Sequence, residues 1–499
     1  MPKIDDLKTK GESMFRLGTI RRTAEESVRD KTFDGRRGRR AAAVATLVAT
    51  ISVIAAACGT GSSTTTTSAP ATTSTTAGSS GSGSSTSTTG ASTASVPTCP
   101  SDVAQGSPGV TSTSINVGAV STQTGALAGN FGAMVPGVKA YFDYINSQGG
   151  VNGRKFNLSY NLDDEGNPSQ YSQLVHTSID QDHAFALVGV ATPFFDPNYL
   201  AQTCTPTYGY NVTGNWAGPP NLYSTGGTAL YYPEIPYYIA YLLKKLKIHS
   251  YATLSYGIAA SSAACSAVNK GLKDAGFAQA YTDLNVPYAG NVTPDVQQVK
   301  SSGAQIVISC MDVTDNVSLA RGLKQYGAKT QQFWFSGSDQ TTIDHYGSLI
   351  QGVYFGLSHV PFSAPTQYYP GMKTYLAAMQ KYAPADVGSE LAIQGWASAA
   401  LFVQGVKNAG SNLTQANVVK QDNLLSDWTG NGLYFPINWA TSHTKATNFC
   451  EALIQIQGTK YVSVLGQGHQ VFVCFDINQA NPTPYNPVPA TLPAGTPGT

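Results

Sequence analysis

Short apolar runs alternate with longer amphipathic segments through most of the chain, from about residue 112 to residue 485. Apolar runs of this length predict strands, and the segments between them have the spacing of helices. We predict strands at 115–120, 155–161, 184–190, 250–256, 304–310, 332–336 and 351–357. We predict helices at 132–147, 168–182, 235–247, 261–275, 294–302, 314–326, 366–381 and 389–409. The alternation predicts an α/β fold in which helices cover both faces of parallel sheets.

Capping residues support several of the predicted helix boundaries. Asn167-Pro168 and Thr293-Pro294 each place a side chain that can cap a helix before a proline at its first position. Gly276 follows the helix at 261–275, where a glycine commonly ends a helix in the left-handed conformation. These capping residues support the helix assignments independently of the hydrophobic pattern.

Polar and acidic turns follow the first two predicted strands. The strand at 115–120 leads into Ser121–Gly125 and then into a helix that ends at Gly149-Gly150, and the strand at 155–161 runs into Asp163-Asp164-Glu165. In open α/β sheets, ligands bind outside the carboxyl ends of the strands, where such turns lie. Together with the segments 269–276, 319–327 and 397–410, these motifs resemble the branched-chain amino-acid-binding family of type I periplasmic solute-binding proteins, which serve ABC importers.

The resemblance implies a two-lobed fold of the Venus-flytrap kind, with a parallel sheet flanked by helices in each lobe. Two lobes also suit a folded part of about 375 residues, which exceeds what one hydrophobic core usually organises. Chains of this family cross between the lobes three times, and the corresponding segments here are 224–236, 358–365 and 428–436. We therefore expect lobe 1 at 98–230 and 360–428, and lobe 2 at 236–356 and 436–485.

Hydroxyl and amide side chains follow three of the predicted lobe-1 strands: Ser121 and Thr124, then Thr192, then Asn211 and Thr213. In the resembled family, the second and third of these turns bind the α-carboxylate of the ligand, and the first lies near the mouth of the cleft. Ordinary turn and capping chemistry is the alternative role for each. Nearby aromatic side chains, Phe194, Phe195 and Trp216, either stack on a ligand or pack in the core.

On lobe 2 the resemblance implies an aromatic lid and a carboxylate. Tyr256 ends a strand where the family often has a tyrosine that closes over the ligand. Asp339 lies in a motif whose acidic residue receives the ammonium of the ligand, and Asp312 is a second carboxylate at a contact position. A cation taken from water into a closing cleft needs a fixed opposite charge to offset its desolvation. The alternative for Asp339 and Asp312 is that each caps the helix that follows it.

The amino-terminal hundred residues have the composition of a leader and a tether. Residues 1–40 hold 12 of the 30 Lys and Arg, and the uncharged apolar run 41–57 is short for a membrane span of about 20 residues. We predict a signal segment at 1–57 followed by lipidation of Cys58, because small residues before a cysteine resemble a bacterial lipobox. The alternative is a plain signal peptide or an uncleaved anchor. The Ser-, Thr- and Gly-rich stretch 58–97 predicts a flexible tether, and 486–499 a flexible tail.

Six cysteines remain in the predicted exported part, an even number that favours disulfides. We favour Cys450–Cys474, which would close a hairpin-like segment, and then Cys265–Cys310 and Cys99–Cys204 by elimination and fold position. Free buried thiols are the alternative. After position 57 the chain has 18 basic and 22 acidic residues, a net charge of −4, which does not suggest a nucleic-acid partner.

The motifs of common enzyme classes and metal sites do not occur in the folded part. It contains no GxSxG, HExxH, P-loop or GxGxxG after a strand, and its histidines and cysteines form no zinc pattern. We therefore predict neither an enzyme nor a cofactor or metal. The prediction is an extracytoplasmic solute-binding lipoprotein, held at the outer face of the cytoplasmic membrane. Its partners would be a small polar ligand (an amino acid, amide or related compound) and the permease subunits of an ABC importer. A signalling receptor of the same fold, a secreted hydrolase and a surface adhesin are the alternatives.

Overall fold

The computed structural model describes residues 96–225, 231–444, 448–464, 470–476 and 484–485. The predicted signal segment, nearly all of the tether, Cys58 and the tail at 486–499 lie outside the described residues.

Strands and helices alternate along the described chain as the hydrophobic pattern predicts. The strands are β1 (Ser114–Ser121), β2 (Lys155–Asp163), β3 (Leu187–Val190), β4 (Thr207–Gly209), β5 (Leu222–Ser224), β6 (Ser250–Tyr256), β7 (Ala278–Val286), β8 (Ile306–Cys310), β9 (Gln331–Trp334), β10 (Tyr354–Leu357), β11 (Asn448–Gln457), β12 (Lys460–Ser463), β13 (Phe472–Asp476) and β14 (Pro484–Tyr485). The helices are α1 (Ala128–Phe131), α2 (Met134–Ser147), α3 (Pro168–His176), α4 (Asn198–Thr203), α5 (Tyr231–Lys245), α6 (Ala259–Asp274), α7 (Thr293–Ser301), α8 (Val313–Gln325), α9 (Gln340–Tyr346), α10 (Pro370–Tyr382), α11 (Glu390–Ala409), α12 (Gln415–Asn423) and α13 (Trp439–Ser442).

The described strands form two separate sheets, which confirms the predicted two-lobed α/β class. The first sheet has the order β2-β1-β3-β4-β5, and all of its neighbours are parallel. The second has the order β14-β13-β11-β10-β9-β8-β6-β7, with β12 paired to β11. Its neighbours from β7 to β10 are parallel and those from β10 to β14 are antiparallel. We use lobe 1 for the first sheet with the helices packed on it, and lobe 2 for the second.

Helix α11 returns to lobe 1 after the chain has built most of the second sheet. It packs against α2, β3, β4 and α12, and it is buried along nearly its whole length. The helix backbones of α2 and α11 approach closely because both carry glycine at the crossing. A Cβ on Gly137 would lie 1.9 Å from the carbonyl oxygen of Ala392, and one on Gly395 would lie 2.0 Å from that of Met134.

Gly395→Ala is therefore expected to lower the free energy of unfolding by about 1–3 kcal/mol, because backbone atoms cannot yield as a side chain can. Gly214→Ala is the matched control, since a Cβ there would meet nothing within 4 Å. Chemical denaturation of both variants measures the difference. Equal midpoints for Gly395→Ala and the wild type would contradict the close helix contact.

Three disulfides join the cysteines in the predicted pairs, Cys99–Cys204, Cys265–Cys310 and Cys450–Cys474. The last pair lies directly across the antiparallel neighbours β11 and β13. Cys265–Cys310 joins α6 to the carboxyl end of β8. The structure thus confirms all three pairings, and the alternative of free buried thiols is wrong for these residues.

Some boundaries differ from the prediction for identifiable reasons. The cap predicted at Thr293 is wrong, because α7 begins at that residue and its backbone N–H is bonded instead to the side chain of Asn291. The Asn167 cap is confirmed, as its side chain accepts from the N–H groups of Ser169 and Gln170. Strand β7 was not predicted, because only its last residue is buried and its sequence therefore contains no apolar run.

The three connections between the lobes meet around one buried amide on α11. Gln394 accepts hydrogen bonds from the hydroxyls of Thr225, which follows β5, and of Tyr434, which precedes β11; the second spans 3.1 Å. Its amide nitrogen lies 3.4 Å from the hydroxyl of Ser358, just after β10. Each of these residues lies where the chain leaves one sheet for the other, so Gln394 ties the three connections together.

Candidate functional site

A cleft lies between the carboxyl ends of strands from both sheets, where ligands of open α/β folds bind. It encloses about 1070 Å³ not occupied by protein atoms, including its open mouth. Lobe 1 contributes residues that follow β1, β3 and β4 and the start of α11, and lobe 2 contributes residues that follow β6, β8 and β9. The site is therefore built at strand ends of both lobes, as the sequence pattern predicts for this fold.

The lobe-1 wall of the cleft is largely apolar. Its side chains are those of Leu127, Phe131, Pro193, Tyr210, Val212 and Leu391, with Asn130 and Glu390 beside them. Most of this wall comes from the segment after β1 and from the turns after β3 and β4. A ligand that contacts it presents an apolar part to lobe 1.

The polar residues predicted on lobe 1 do not line this cleft. They are Ser121, Thr124, Thr192, Asn211 and Thr213. Their neighbours Pro193, Tyr210 and Val212 do so instead, because successive side chains of an extended turn point to opposite sides. The hydroxyl of Thr192 accepts from the N–H of Phe194, and Asn211 accepts from the hydroxyl of Ser224. These side chains hold the turns in shape.

The acidic run after β2 also fixes the turn after β1. Asp163 accepts from the N–H of Gln123 at 2.9 Å and from the hydroxyl of Thr124 at 2.6 Å. Asp164 is fully buried and accepts from the hydroxyl of Thr122 at 2.6 Å. Thr124 is therefore committed to an intramolecular bond.

Of the aromatic residues predicted near the lobe-1 site, Phe195 and Trp216 pack in the core and Phe194 is half-buried. Phe195 and Trp216 stack on each other with ring centroids 4.1 Å apart, and both are buried. Neither they nor Phe194 line the cleft.

On lobe 2 the three predicted residues Tyr256, Asp312 and Asp339 all line the cleft. The hydroxyl of Tyr256 donates to a carboxylate oxygen of Asp315 at 2.8 Å and accepts from the N–H of Asp312 at 3.1 Å. Burial raises the pKa of Tyr256, so its hydroxyl stays protonated. Asp312 caps α8 by accepting from the N–H of Asp315 at 3.0 Å. Asp312 is thus a helix cap, the alternative role given for it above, and it also lines the cleft.

Asp339 does not cap the helix that follows it but the start of α11 on the other lobe. Its carboxylate accepts from the N–H of Glu390 at 2.5 Å, and no side-chain cap is found for α9. In return, the hydroxyl of Ser338 donates to the carboxylate of Glu390 at 2.7 Å. Two carboxyl groups from opposite lobes, Asp339 and Glu390, therefore lie side by side at the cleft.

Burial, and to a smaller extent the nearby Asp339, raise the pKa of Glu390 to about 7. Burial also raises the pKa of Asp339. Two neighbouring carboxyl groups withdrawn from water attract a cation, because a positive charge offsets both their desolvation and their mutual repulsion. Sequence reasoning did not single out Glu390, since a glutamate in the first turn of a helix is ordinary.

No lysine, arginine or histidine is found among the described residues that line the cleft. Across the described ranges of the chain, no group of three or more His, Cys, Asp or Glu is arranged to hold a metal ion. The same part of the chain holds no helix that is long and apolar enough to cross a membrane.

Two lobes joined by three connections around a cleft define the class of two-lobed ligand-binding proteins. Residues 114–460 match the family model described as Periplasmic binding protein. The match spans more than half of the chain, and the chain belongs to this family. A comparison with curated proteins finds no match.

Solved structures share the fold at low sequence identity. One is a substrate-binding protein of a fatty acid ABC transporter from Thermomonospora curvata, with a TM-score of 0.63 and 18% identity over 75% of this chain and 96% of that chain. Another is a branched-chain amino acid ABC transporter protein from Thermus thermophilus with bound valine, with a TM-score of 0.62 and 16% identity over 71% and 96%. A leucine-binding protein from Thermotoga maritima has a TM-score of 0.57 and 12% identity over 70% and 97%. At these identities the likeness establishes the fold.

Proposed function

We propose that this protein is an extracytoplasmic solute-binding protein that captures a small ligand in the cleft and delivers it to an ABC importer. The observation that carries the proposal is the cleft itself, lined from both lobes at the carboxyl ends of their strands. The structural neighbours named above are ABC transporter binding proteins for amino acids and fatty acids. They support a small molecule with an apolar part as the ligand.

Capture works as a shift between open and closed arrangements of the lobes. A ligand that contacts both walls stabilises the closed arrangement. The size of this stabilisation equals the difference between the ligand's binding free energies for the closed and open arrangements. The connections around Gln394 provide the hinge. In this proposal lobe 1 comprises 98–230 and 360–428 and lobe 2 comprises 236–356 and 436–485, as the sequence predicts. Permease subunits would recognise the closed form.

The proposal includes a lipid anchor at Cys58 and a tether at 58–97. A flexible chain of this length has a root-mean-square reach of roughly 35 Å, which suits a receptor that must meet a permease in the same membrane. Mass spectrometry of the mature amino terminus tests the anchor. A diacylated Cys58 supports it, and an unmodified or absent Cys58 contradicts it.

The protein acts by binding and not by catalysis in this proposal. Among the described lining residues are two serines, Ser261 and Ser336, and no histidine that could activate them. Ser261 is already committed, because its hydroxyl donates to the carbonyl of Cys310 at 2.6 Å. A substrate that the pure protein converts into product would contradict this part of the proposal.

A thermal-shift screen tests ligand capture most simply. The panel contains amino acids, amides, aliphatic and aromatic amines, and fatty acids of matched size. A true ligand at 100 times its dissociation constant is expected to stabilise the folded protein by about 2.7 kcal/mol. A panel in which no compound raises the melting temperature would contradict the proposed function.

A further inference from the structure

The charged groups among the described residues that line the cleft are all of one sign. Asp312, Asp339 and Glu390 line it, and no basic side chain is found among the described lining residues. Asp312 is partly satisfied as the cap of α8. Asp339 accepts from the N–H of Glu390 and from the hydroxyl of Ser389, and Glu390 accepts from the hydroxyl of Ser338. A carboxylate has about four acceptor positions, so both retain capacity for a ligand that donates.

Three helices that begin at the cleft already have a carboxyl group at or near their amino termini. Asp312 precedes α8, Asp339 precedes α9 and caps α11, and Glu390 lies in the first turn of α11. The protein's own carboxyl groups therefore offset the positive amino-terminal ends of these helix dipoles. The start of α6, at Ile258–Ser261, also lines the cleft without an acidic first turn. A single helix amino terminus carries about half a positive charge. This is too little to offset the negative charge of a ligand carboxylate that lies next to three acidic side chains.

The polar groups predicted to hold a ligand carboxylate on lobe 1 are Thr192, Asn211 and Thr213, and none of them lines the cleft. In their place stands an apolar wall that includes Phe131, Tyr210 and Val212. A ligand carboxylate against this wall would lose its hydration without gaining a partner. Aromatic rings in the same wall favour a cation.

We propose that the cleft selects a cationic amine with an apolar body and no carboxylate, its ammonium held between Asp339 of lobe 2 and Glu390 of lobe 1. The apolar body would lie against the lobe-1 wall. Because the two carboxyl groups come from opposite lobes, one ammonium offsets their repulsion only in the closed arrangement. This inference rests on the proposed function and names the class of ligand that the same cleft takes.

Matched ligand series test the charge rule directly. Hexylamine, hexanoate and L-norleucine share a six-carbon chain, and phenethylamine, 3-phenylpropionate and L-phenylalanine share an aromatic body. Calorimetry with the mature protein at pH 8 is expected to show the amine binding at least about 10-fold more tightly than the other members of its series. Binding of either carboxylate or amino acid as tight as that of its amine would overturn the proposal, and so would no binding by either amine.

Glu390→Gln tests the role of the lobe-1 carboxyl group. Gln keeps an acceptor for Ser338 and the length of the side chain but removes the charge. We expect it to weaken binding of the amine by about 10- to 100-fold. Asp344→Asn is the matched control, because Asp344 is exposed on α9 and accepts from the side chain of Gln340 on the same helix. Equal losses in the two variants, or no loss in Glu390→Gln, would overturn the assignment of Glu390.

The pH dependence provides an independent readout. With a pKa of about 7 in the free protein, Glu390 must lose a proton before it can pair with the ammonium. Binding lowers this pKa, so affinity for the amine is expected to rise about tenfold from pH 6 to pH 8 and to stay flat in Glu390→Gln. The groups facing Glu390 are Asp339, Glu451, Tyr238, Tyr434 and Tyr461. Burial raises the pKa of Glu451 and of these tyrosines, and the tyrosines therefore stay neutral in this range. A flat wild-type profile would contradict the proposal.

Solute capture and the preference for an amine can be tested separately. If amino acids or fatty acids stabilise the protein and the amines do not, solute capture stands and the charge rule is wrong. If no compound of either panel binds, the proposed function itself is wrong.

Discussion

An Asp339→Ala variant is expected to lose about 100-fold or more in affinity for any amine-bearing ligand. Truncating one carboxylate of a buried charge pair costs about 2–5 kcal/mol, because the remaining charge is left without its partner. The same substitution removes the acceptor for the N–H of Glu390 at the start of α11. The free energy of unfolding of this variant is therefore also expected to fall by about 1 kcal/mol, the typical contribution of a helix cap. Calorimetry and thermal unfolding measure the two effects.

Asp339→Asn separates these effects. Asparagine keeps a side-chain oxygen for the N–H of Glu390 but carries no charge, so the melting temperature should stay near that of the wild type while the amine affinity falls. Asp344→Asn again serves as the control for loss of a nearby acid. Retained affinity in Asp339→Asn would remove Asp339 from the ligand site and leave it a purely structural role.

Gln394→Met is expected to lower the free energy of unfolding by about 2–4 kcal/mol. The hydroxyl of Thr225 would lose its acceptor, and that of Tyr434 would keep only the carbonyl of Ile393, 3.4 Å away. A buried donor without an acceptor costs about 1–3 kcal/mol. Methionine has nearly the length of glutamine, so packing changes little. Because these hydroxyls belong to separate connections between the lobes, the ligand-free variant should also sample a wider range of openings.

Denaturation measures the stability loss, and small-angle scattering of the ligand-free variant measures the range of openings. Gln404→Met is the matched control, since this glutamine lies on the same helix and its amide donates to Asn408 of that helix. Equal stability of the two variants would show that the amide of Gln394 does not hold the connections together.

The fold could be predicted from the sequence where burial produces a clear pattern. The strand at 306–310 is wholly buried and stands out as an apolar run, and Asn167-Pro168 marks the start of α3. Strand β7 could not be predicted, because an edge strand with a half-exposed face shows no such run. The disulfide pairings depended on fold position, which the alternation of elements supplied.

The site could be predicted only in part, because a sequence does not state which way a side chain points in a turn. Tyr256, Asp312 and Asp339 follow strands of lobe 2 and line the cleft. Thr192 and Asn211 lie one position away from the lining residues Pro193, Tyr210 and Val212, and a shift of one residue reverses the side chain. Glu390 required the structure, because its meeting with Asp339 joins residues 51 positions apart on different lobes.

Small-angle X-ray scattering with the tightest compound from the screen tests the central claim most directly. The claim is that a ligand gripped by both lobes closes the cleft. The account predicts a smaller radius of gyration for the wild-type protein when the compound saturates it, and no change for Asp339→Asn at the same concentration. Superimposable profiles for the free and saturated wild-type protein, with binding shown in parallel by calorimetry, would contradict it.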